Sequence, residues 1–595
     1  MSYLKKYWKK YKFLFILSVV CVSLEALCDL MQPRIMVRLI NDGAIKGDLD
    51  YVIGAGLTML GVAGLGAVFA LTRNIVASYV SQGFGMDLRH DLFSKIQYLS
   101  VEDMDGFEGG SLVTRMTNDI TQVQNFINGM MRIFFKAPIM CIGAIIMVIM
   151  LNPRAMPVIV PVVAAVALII SISMRMTYHR FAMVQQSLDK LNITMREYLT
   201  GIRLVKAFRR FREEERRFSE SNDLLTENTV RANRVLAVFS PCMAVFVNLG
   251  IAMIIFLGAR WVDTGDMDVG EIMAFVTYMT QILVSLGMIS NVLNMFVRVK
   301  TSNERIGEVM NIQSQPQSQP QSQSQPQPDG QGGVPEESVT GSGAVKGGFP
   351  HIEFDGVDFE YRGSTGQAAL SGLNFSVAKG QTLGVIGPTG SGKSTLAALL
   401  MRFYSASRGE IRIEGNPIAV INESTLRKKT VIVPQTATLF TGTIKENILW
   451  GRENASDAQI EAAALTAAAH DFITAAPEGY NTLIGQHGVN LSGGQKQRVS
   501  IARALIREPE ILILDDCTSA IDVVTEAKVK RALRQFSEDM TCILITQRVN
   551  SAMTCDKILV LDNGKQAGTG SHEELMENCA VYRDIYRSQI GKAEI

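Results

Sequence analysis

Tryptophan, histidine and cysteine are scarce here: three, six and eight residues in a chain of 595. The cysteines are scattered singly, with no C-x-x-C and no zinc-ligand spacing. Neither a disulfide framework nor a structural metal site is indicated. Cys517, Cys542 and Cys555 fall in the half that reads as soluble and suit a reducing cytosol. An excess of one charge is also missing. Fifty-eight Lys and Arg against 57 Asp and Glu leave +1, which gives no electrostatic ground for a nucleic-acid partner. What abounds is apolar: 47% of residues, with a mean hydropathy of +0.16. That average hides two unlike halves, long apolar runs first and soluble α/β patterning afterwards. A chain of this length needs two or more domains.

The segment MSYLKKYWKKYK puts Tyr3, Leu4, Tyr7, Trp8 and Tyr11 on one helical face and five lysines on the other. It reads as an interfacial helix, rings at headgroup depth and lysines toward anionic lipid. Six apolar stretches follow, near 13–40, 52–80, 129–151, 155–174, 236–261 and 270–298. Each is close to the ~20 residues a bilayer crossing needs. The segments 73–136 and 175–234 are long and rich in Arg and Lys. The positive-inside tendency puts them, and both termini, in the cytoplasm, as helical arms continuing below the membrane. Gly109-Gly110, with Ser111 as the N-cap of a restarted helix, and Gly201 mark the expected arm tips.

Glu25 and Asp29 lie one turn apart on one face of the first span, where ionisable groups are costly. Two readings stand. Arg34, Arg38 or an amide on a neighbouring span neutralises them, or they form an acidic cavity wall favouring cationic, lipophilic substrates. Methionines in the spans suit adaptable apolar surfaces or simple gap-filling. Residues 313–328, QSQPQSQPQSQSQPQP, lack apolar side chains to offset ordering entropy and read as a flexible linker. The expected division is 1–310 for the membrane domain, 311–349 for the linker and 350–595 for a soluble domain.

The soluble domain is organised around Gln381–Thr395, QTLGVIGPTGSGKST. Thr382 to Ile386 reads as a buried strand and Leu396 to Met401 as helix. Between them Gly387, Pro388, Thr389, Gly390, Ser391, Gly392, Lys393 and Ser394, followed by Thr395, fit G-x-x-x-x-G-K-[ST]. Glycines let successive N–H groups converge on a phosphate at a helix start. Lys393 can reach the β/γ-phosphates and Ser394 can offer its hydroxyl to Mg²⁺. The chain is therefore expected to bind a nucleoside triphosphate. Further on, Thr430 to Gln435, Ile511 to Asp516 and Thr541 to Gln547 read as apolar strands, alternating with helices. That implies a mostly parallel sheet with the nucleotide at its strand ends.

A phosphate loop, Leu491-Ser492-Gly493-Gly494-Gln495, and an apolar strand ending on Asp515, behind six spans, resemble an ABC half-transporter of the exporter type. The fold implied is a membrane α-helical bundle of six transmembrane helices fused to an α/β P-loop ABC ATPase domain. The resemblance implies ATP and Mg²⁺ as cofactors and an ATP hydrolase coupled to transport. It implies Tyr361 stacked on adenine, Gln435 and Asp515 at the metal with Ser394, and Gln435 also at the attacking water. Ser492, Gly493, Gly494 and Gln495 would complete a partner subunit's ATP site, with Asp522 on the same seam. Arm tips near 108–118 and 199–208 resemble coupling helices.

Two departures from the family pattern carry weight. Asp516 stands where a water-polarising Glu is usual, and Gln547 where a His is usual. Asp is one methylene shorter, and a misplacement of more than 1 Å can cost ~10²-fold in rate. Gln547 can donate to a γ-phosphate but cannot become cationic. With the other motif residues kept, the pattern resembles the degenerate-site subunit of heterodimeric multidrug exporters, a homodimer being the alternative. Its expected setting is a bacterial cell membrane, and its cargo lipophilic compounds or lipids leaving the cytoplasm or inner leaflet. The competing class is an ATP-gated regulatory or importer-type subunit with the same membrane fold.

Overall fold

The computed structural model describes residues 4–312 and 349–591, apart from Thr365 and Gln367. The Gln/Ser/Pro run at 313–328 lies outside the described residues. The chain forms two compact units. One comprises Met1–Tyr98 and Phe107–Gln313, the other Leu99–Gly106 and Ser314–Ile595.

In the first unit, six helices among the described residues are long and apolar enough to cross a membrane. They are Lys6–Ala44, Leu49–Gln97, Gly109–Leu151, Pro153–Thr200, Phe211–Asp263 and Val269–Ile289. Each contains most or all of one apolar stretch read from the sequence. The polar arms are direct continuations of the spans: the helix Phe211–Asp263 has 53 residues, about 80 Å at 1.5 Å per residue. The core is built from Ala26, Leu30, Ala144, Ile254, Ala274, Phe275 and Tyr278. Small residues let backbones approach, as membrane helices require without a hydrophobic drive between them. Tyr278 Oη, fully buried, donates to Leu30 O at 2.8 Å.

Three expectations are corrected here. Part of the aromatic face at the N-terminus, Tyr7 and Tyr11, packs on protein, while Trp8 stays half exposed. Tyr7 and Tyr11 are buried and donate to Asp91 and Asp87 on the second span helix at 2.6 and 2.9 Å. Lys6 and Lys10 pair with the same two carboxylates, each at 2.6 Å. Ser111 caps nothing. The helix restarts at Gly109 after Glu108, and the break lies upstream, where Ser100 caps a short helix, Val101–Asp105, accepting from Asp103 N at 3.0 Å. Gly109 and Gly110 are the first two residues of the helix Gly109–Thr114, so they start a helix instead of breaking one. In the second arm the break falls as expected, with Gly201 between the helix ending at Thr200 and Ile202–Phe208. Third, neither Arg34 nor Arg38 neutralises the acidic pair. Glu25 meets Arg73 at 2.6 Å and Lys136 at 2.7 Å, and Asp29 meets Lys136 at 3.0 Å. Both carboxylates are matched, so no free acidic wall remains for cations.

The second unit carries a ten-stranded sheet. Lys557–Asp562, Thr382–Ile386, Thr541–Ile545, Ile511–Asp515 and Thr430–Val433 lie side by side in that order, all parallel. These strands are apolar on both faces because helices cover both. Leu383, Val385, Ile513 and Ile545 pack with Leu396 and Leu400 on one side. Leu512, Leu514 and Leu544 pack with Val499, Ala502 and Leu505 on the other. The remaining half departs from the mostly parallel expectation. Asn416–Pro417, Arg408–Ile413, Ile352–Phe359 and Leu370–Val377 pair antiparallel. Lys565–Gly570 pairs antiparallel with Lys557–Asp562 and joins the two halves. Residues Leu99–Gly106 belong to this unit: Arg362 pairs with Glu102 at 2.6 Å and Tyr404 donates to Asp105.

Glu25→Ala is expected to leave Arg73 buried without a counter-charge, costing about 3–5 kcal/mol. Thermal unfolding in detergent should show a lowered midpoint, and adding Arg73→Met should recover part of the loss. An unchanged midpoint in Glu25→Ala would overturn the buried-pair assignment.

Candidate functional site

Register decides which residues meet. Ile545 pairs with Val385 on one side and Asp515 on the other, and Leu514 pairs with Val433. The carboxyl ends of four parallel strands are therefore level, and the segments leaving them begin with Gly387, Asp516, Thr546 and Pro434. Asp516 N donates to Ile545 O at 2.9 Å and Thr546 N to Val385 O at 3.0 Å, extending the ladder by one step.

The phosphate loop needs its glycines. Gly390 and Gly392 have φ of +82° and +94°, a region costly for a residue with Cβ. A Cβ on Gly387 would sit 2.1 Å from Leu561 O, and one on Gly392 2.5 Å from Leu370 Cδ2. Ser391 Oγ lies 3.5 Å from Lys393 Nζ. Lys393 starts the helix Lys393–Leu400, and its Nζ donates to Gly387 O at 2.9 Å and Pro388 O at 2.7 Å. Burial pushes its ammonium below the ordinary lysine range, opposed by the carboxylates of Asp516 and Asp515. Ser394 Oγ donates to Asp515 Oδ1 at 3.1 Å. A hydroxyl and a carboxylate oxygen side by side are the hard donors Mg²⁺ takes, so the residues present fit that ion. Tyr361 Oη is 3.1 Å from Thr395 Oγ1, and its half-exposed ring stands edge-on to Phe359 and Tyr404.

The two unusual residues are bonded to each other. Gln547 Nε2 donates to Asp516 Oδ2 at 2.9 Å, and Gln435 Nε2 donates to the same oxygen at 3.2 Å. Asp516 has φ +45°, a left-handed conformation that Asp tolerates better than longer or branched residues. Its carboxyl is raised above the usual aspartate range, chiefly by burial, with the amide of Gln547 opposing. Asp515 is raised too, again chiefly by burial, with the Ser394 hydroxyl opposing.

The signature residues are organised separately. Ser492 and Gln495 form a reciprocal cap at the start of the helix Gly493–Leu505. Ser492 Oγ accepts from Gln495 N at 3.3 Å, and Gln495 Oε1 from Ser492 N at 2.9 Å. Gly494 faces Ala520 O so closely that a Cβ would come within 2.9 Å. Asp522 caps the helix Val523–Phe536 by accepting from Thr525 N at 2.9 Å. That bond holds its carboxyl below the usual range. Ser492, Gly493 and Asp522 are exposed.

Sequence reading missed the groups that hold these parts. Buried Glu526 accepts from Ser551 Oγ at 2.5 Å, Lys530 at 2.9 Å and Arg548 at 3.0 Å. Arg548 also donates to Ser519 O at 2.9 Å, tying the segment after Asp516 to the one carrying Gln547. Gln497, on the signature helix, donates to Gln435 O at 2.5 Å. The signal available was Arg548, directly after Gln547.

A helical membrane region fused to a phosphate-loop ATPase on a curled sheet defines an ATP-driven transporter of the exporter class. Comparison with known proteins agrees. Residues 15–286 match the model of the ABC transporter transmembrane region, and residues 370–519 that of the ABC transporter. An uncharacterized ABC transporter ATP-binding protein of Bacillus subtilis is 38% identical, over 98% of both chains. An ATP-dependent lipid A-core flippase of Dechloromonas aromatica is 30% identical, over 100% of this chain and 97% of its own. Among solved structures, a bacterial Atm1-family ABC exporter with ATP bound superposes with a TM-score of 0.77 at 26% identity, covering 99% of both chains. The chain belongs to the ABC transporter family, and its activity is ATP hydrolysis coupled to transport.

With Asp516 as the base for water, basal hydrolysis at this site should fall as pH drops through the raised pKa of that group. The acid limb is expected above the pH at which an ordinary aspartate titrates, and a pH–rate profile of the purified chain checks it. Lys393→Ala should weaken ATP binding about tenfold or more by removing a charge-assisted phosphate contact; equilibrium binding of a fluorescent ATP analogue reads this.

Proposed function

We propose that this chain is one subunit of a heterodimeric exporter, holding ATP at its own Walker side and hydrolysing it slowly. The observation that carries the reading is Asp516 Oδ2, accepting from both Gln547 Nε2 and Gln435 Nε2. A carboxylate oxygen shared between two amide donors is turned toward them and is less free to meet the attacking water. In this arrangement Tyr361 stacks on adenine, and Gly387 to Thr395 cradle the phosphates. Ser394, Asp515 and Gln435 hold Mg²⁺, which neutralises phosphate charge. The exposed caps Ser492, Gly493 and Asp522 suit a surface that closes over a second, non-identical subunit's nucleotide. ATP binding draws the two ATPase domains together, and the arm tips pass that movement to the spans.

The cargo is a lipophilic compound or lipid leaving the cytoplasm or inner leaflet. In support, a relative spanning the same length is named a lipid A-core flippase. The setting is a bacterial plasma membrane, with both termini and both arms cytoplasmic. The soluble domain runs from residue 350, joined to the membrane domain by the linker at 311–349.

The purified chain should bind ATP–Mg²⁺ and turn over slowly. Asp516→Glu with Gln547→His should raise its rate by about 10²-fold, the scale of a 1 Å correction at the reacting centre. Fast turnover by the unaltered chain, abolished in Asp516→Asn, sinks the degenerate-site reading. When the chain is co-expressed with its partner, Gly493→Asp should cripple ATPase activity of the complex. Full activity in that variant would falsify the cross-subunit role.

A further inference from the structure

The membrane unit holds a cavity of about 580 Å³ walled by Arg73, Arg132 and Lys136, the amides of Asn125 and Asn128, and Met295. That volume lies within the range of small-molecule sites. Three cations share this one wall, and the carboxylates beside them decide what charge it presents. Two of them find a counter-charge. Lys136 pairs with Glu25 at 2.7 Å and Asp29 at 3.0 Å, and Arg73 with Glu25 at 2.6 Å.

Arg132 does not. It has no carboxylate within ion-pair distance among the described residues, and only Asn128 Oδ1, at 3.5 Å, accepts from it. It sits in a π-helical turn, Met130–Phe134, which widens the third span helix beside the cavity. Arg73 is committed elsewhere, to Glu25 at 2.6 Å and to Asn74 Oδ1, which accepts from its Nη2 at 3.2 Å. The wall therefore presents one uncompensated guanidinium, a fork donor suited to planar or tetrahedral oxyanions. Met295, together with Met288, supplies a polarizable apolar wall that adapts to varied shapes.

We propose that this cavity receives the anionic group of an amphiphilic substrate. Arg132 takes phosphate, carboxylate or sulfonate oxygens while the methionines face the apolar body. The proposal names the substrate class for the exporter reading and rests on it. It replaces the cationic class suggested by Glu25 and Asp29, whose charges are consumed within the wall. A lipid headgroup and a soluble amphiphilic anion share this chemistry.

The test is equilibrium binding to the purified full-length chain in phosphatidylcholine nanodiscs, without ATP hydrolysis. Dodecyl phosphate and dodecyltrimethylammonium serve as probes matched in apolar chain. Dodecyl phosphate should bind the more tightly. Arg132→Gln should weaken it by about tenfold or more, the scale of one charge-assisted hydrogen bond, whereas Arg132→Lys keeps a larger share. Neither substitution should shift thermal unfolding, since Arg132 holds no ion pair. Equal affinity for the two probes, or full dodecyl phosphate affinity in Arg132→Gln, overturns the proposal. Phosphatidylglycerol in the nanodiscs that displaces dodecyl phosphate supports the site with a lipid as its source. Retained binding supports it with a soluble amphiphile as its source. Because no turnover is measured, a negative result here is separate from failure of the exporter reading, which the ATPase measurements decide.

Discussion

Pairing of Ile545 with Val385 and with Asp515 sets the carboxyl ends of three buried strands level, and the nucleotide site is assembled from whatever follows those ends. A one-residue slip in either pairing would move every side chain to the other face. It would carry Asp516 away from Gln547 and Ser394 away from Asp515. The strands resist slipping because both faces are packed: odd positions such as Ile513 and Ile545 meet one helical layer, and even positions such as Leu514 and Leu544 meet the other. Chemistry at the strand ends thus rests on hydrophobic alternation several residues earlier in each strand. Arg548 and Glu526 add a second constraint by fixing the two exit segments to each other.

The membrane unit solves a different problem, that of charge in a low-dielectric setting. Glu25 satisfies two cations on two different helices, so the first, second and third spans are joined at one carboxylate. Such a triad adds little net stability against an apolar replacement, but losing one member strands the others. It also fixes what the neighbouring cavity can bind. With Glu25 and Asp29 committed to Lys136 and Arg73, the residual charge facing the cavity among the described residues is that of Arg132.

Local signals were legible in the sequence and long-range pairings were not. The phosphate loop, its flanking strand and helix, and the six spans follow from patterns within 10 to 30 consecutive residues, where period and residue type suffice. The membrane ion pairs could not be read that way. Lys136 is 111 residues from Glu25, and the nearby Arg34 and Arg38 were the natural but wrong partners. Ser111 failed as a cap for a related reason. Ser, Thr and Asp residues abound near a glycine pair, and only the backbone shows that Ser100 takes the role. The antiparallel half of the sheet escaped notice because Ile352–Phe359 and Leu370–Val377 carry the same apolar alternation whichever way they pair.

Asp516 and Gln547 were both conspicuous in the sequence, yet 31 residues separate them and nothing there says that they touch. Their contact changes how the two departures should be weighed. Treated as independent, each is a tolerable replacement with its own modest cost. Joined by a 2.9 Å hydrogen bond, they act as one unit, because a donor amide placed at 547 is what a short carboxylate at 516 can reach. Groups bonded in this way are expected to be non-additive. Restoring a Glu alone would push a longer side chain against an amide positioned for Asp, from a backbone already held at φ +45°. Restoring a His alone would place an imidazole where Gln547 now donates, leaving Gln435 as the remaining amide on the Asp516 carboxylate. Neither single change recovers the geometry that the two make together.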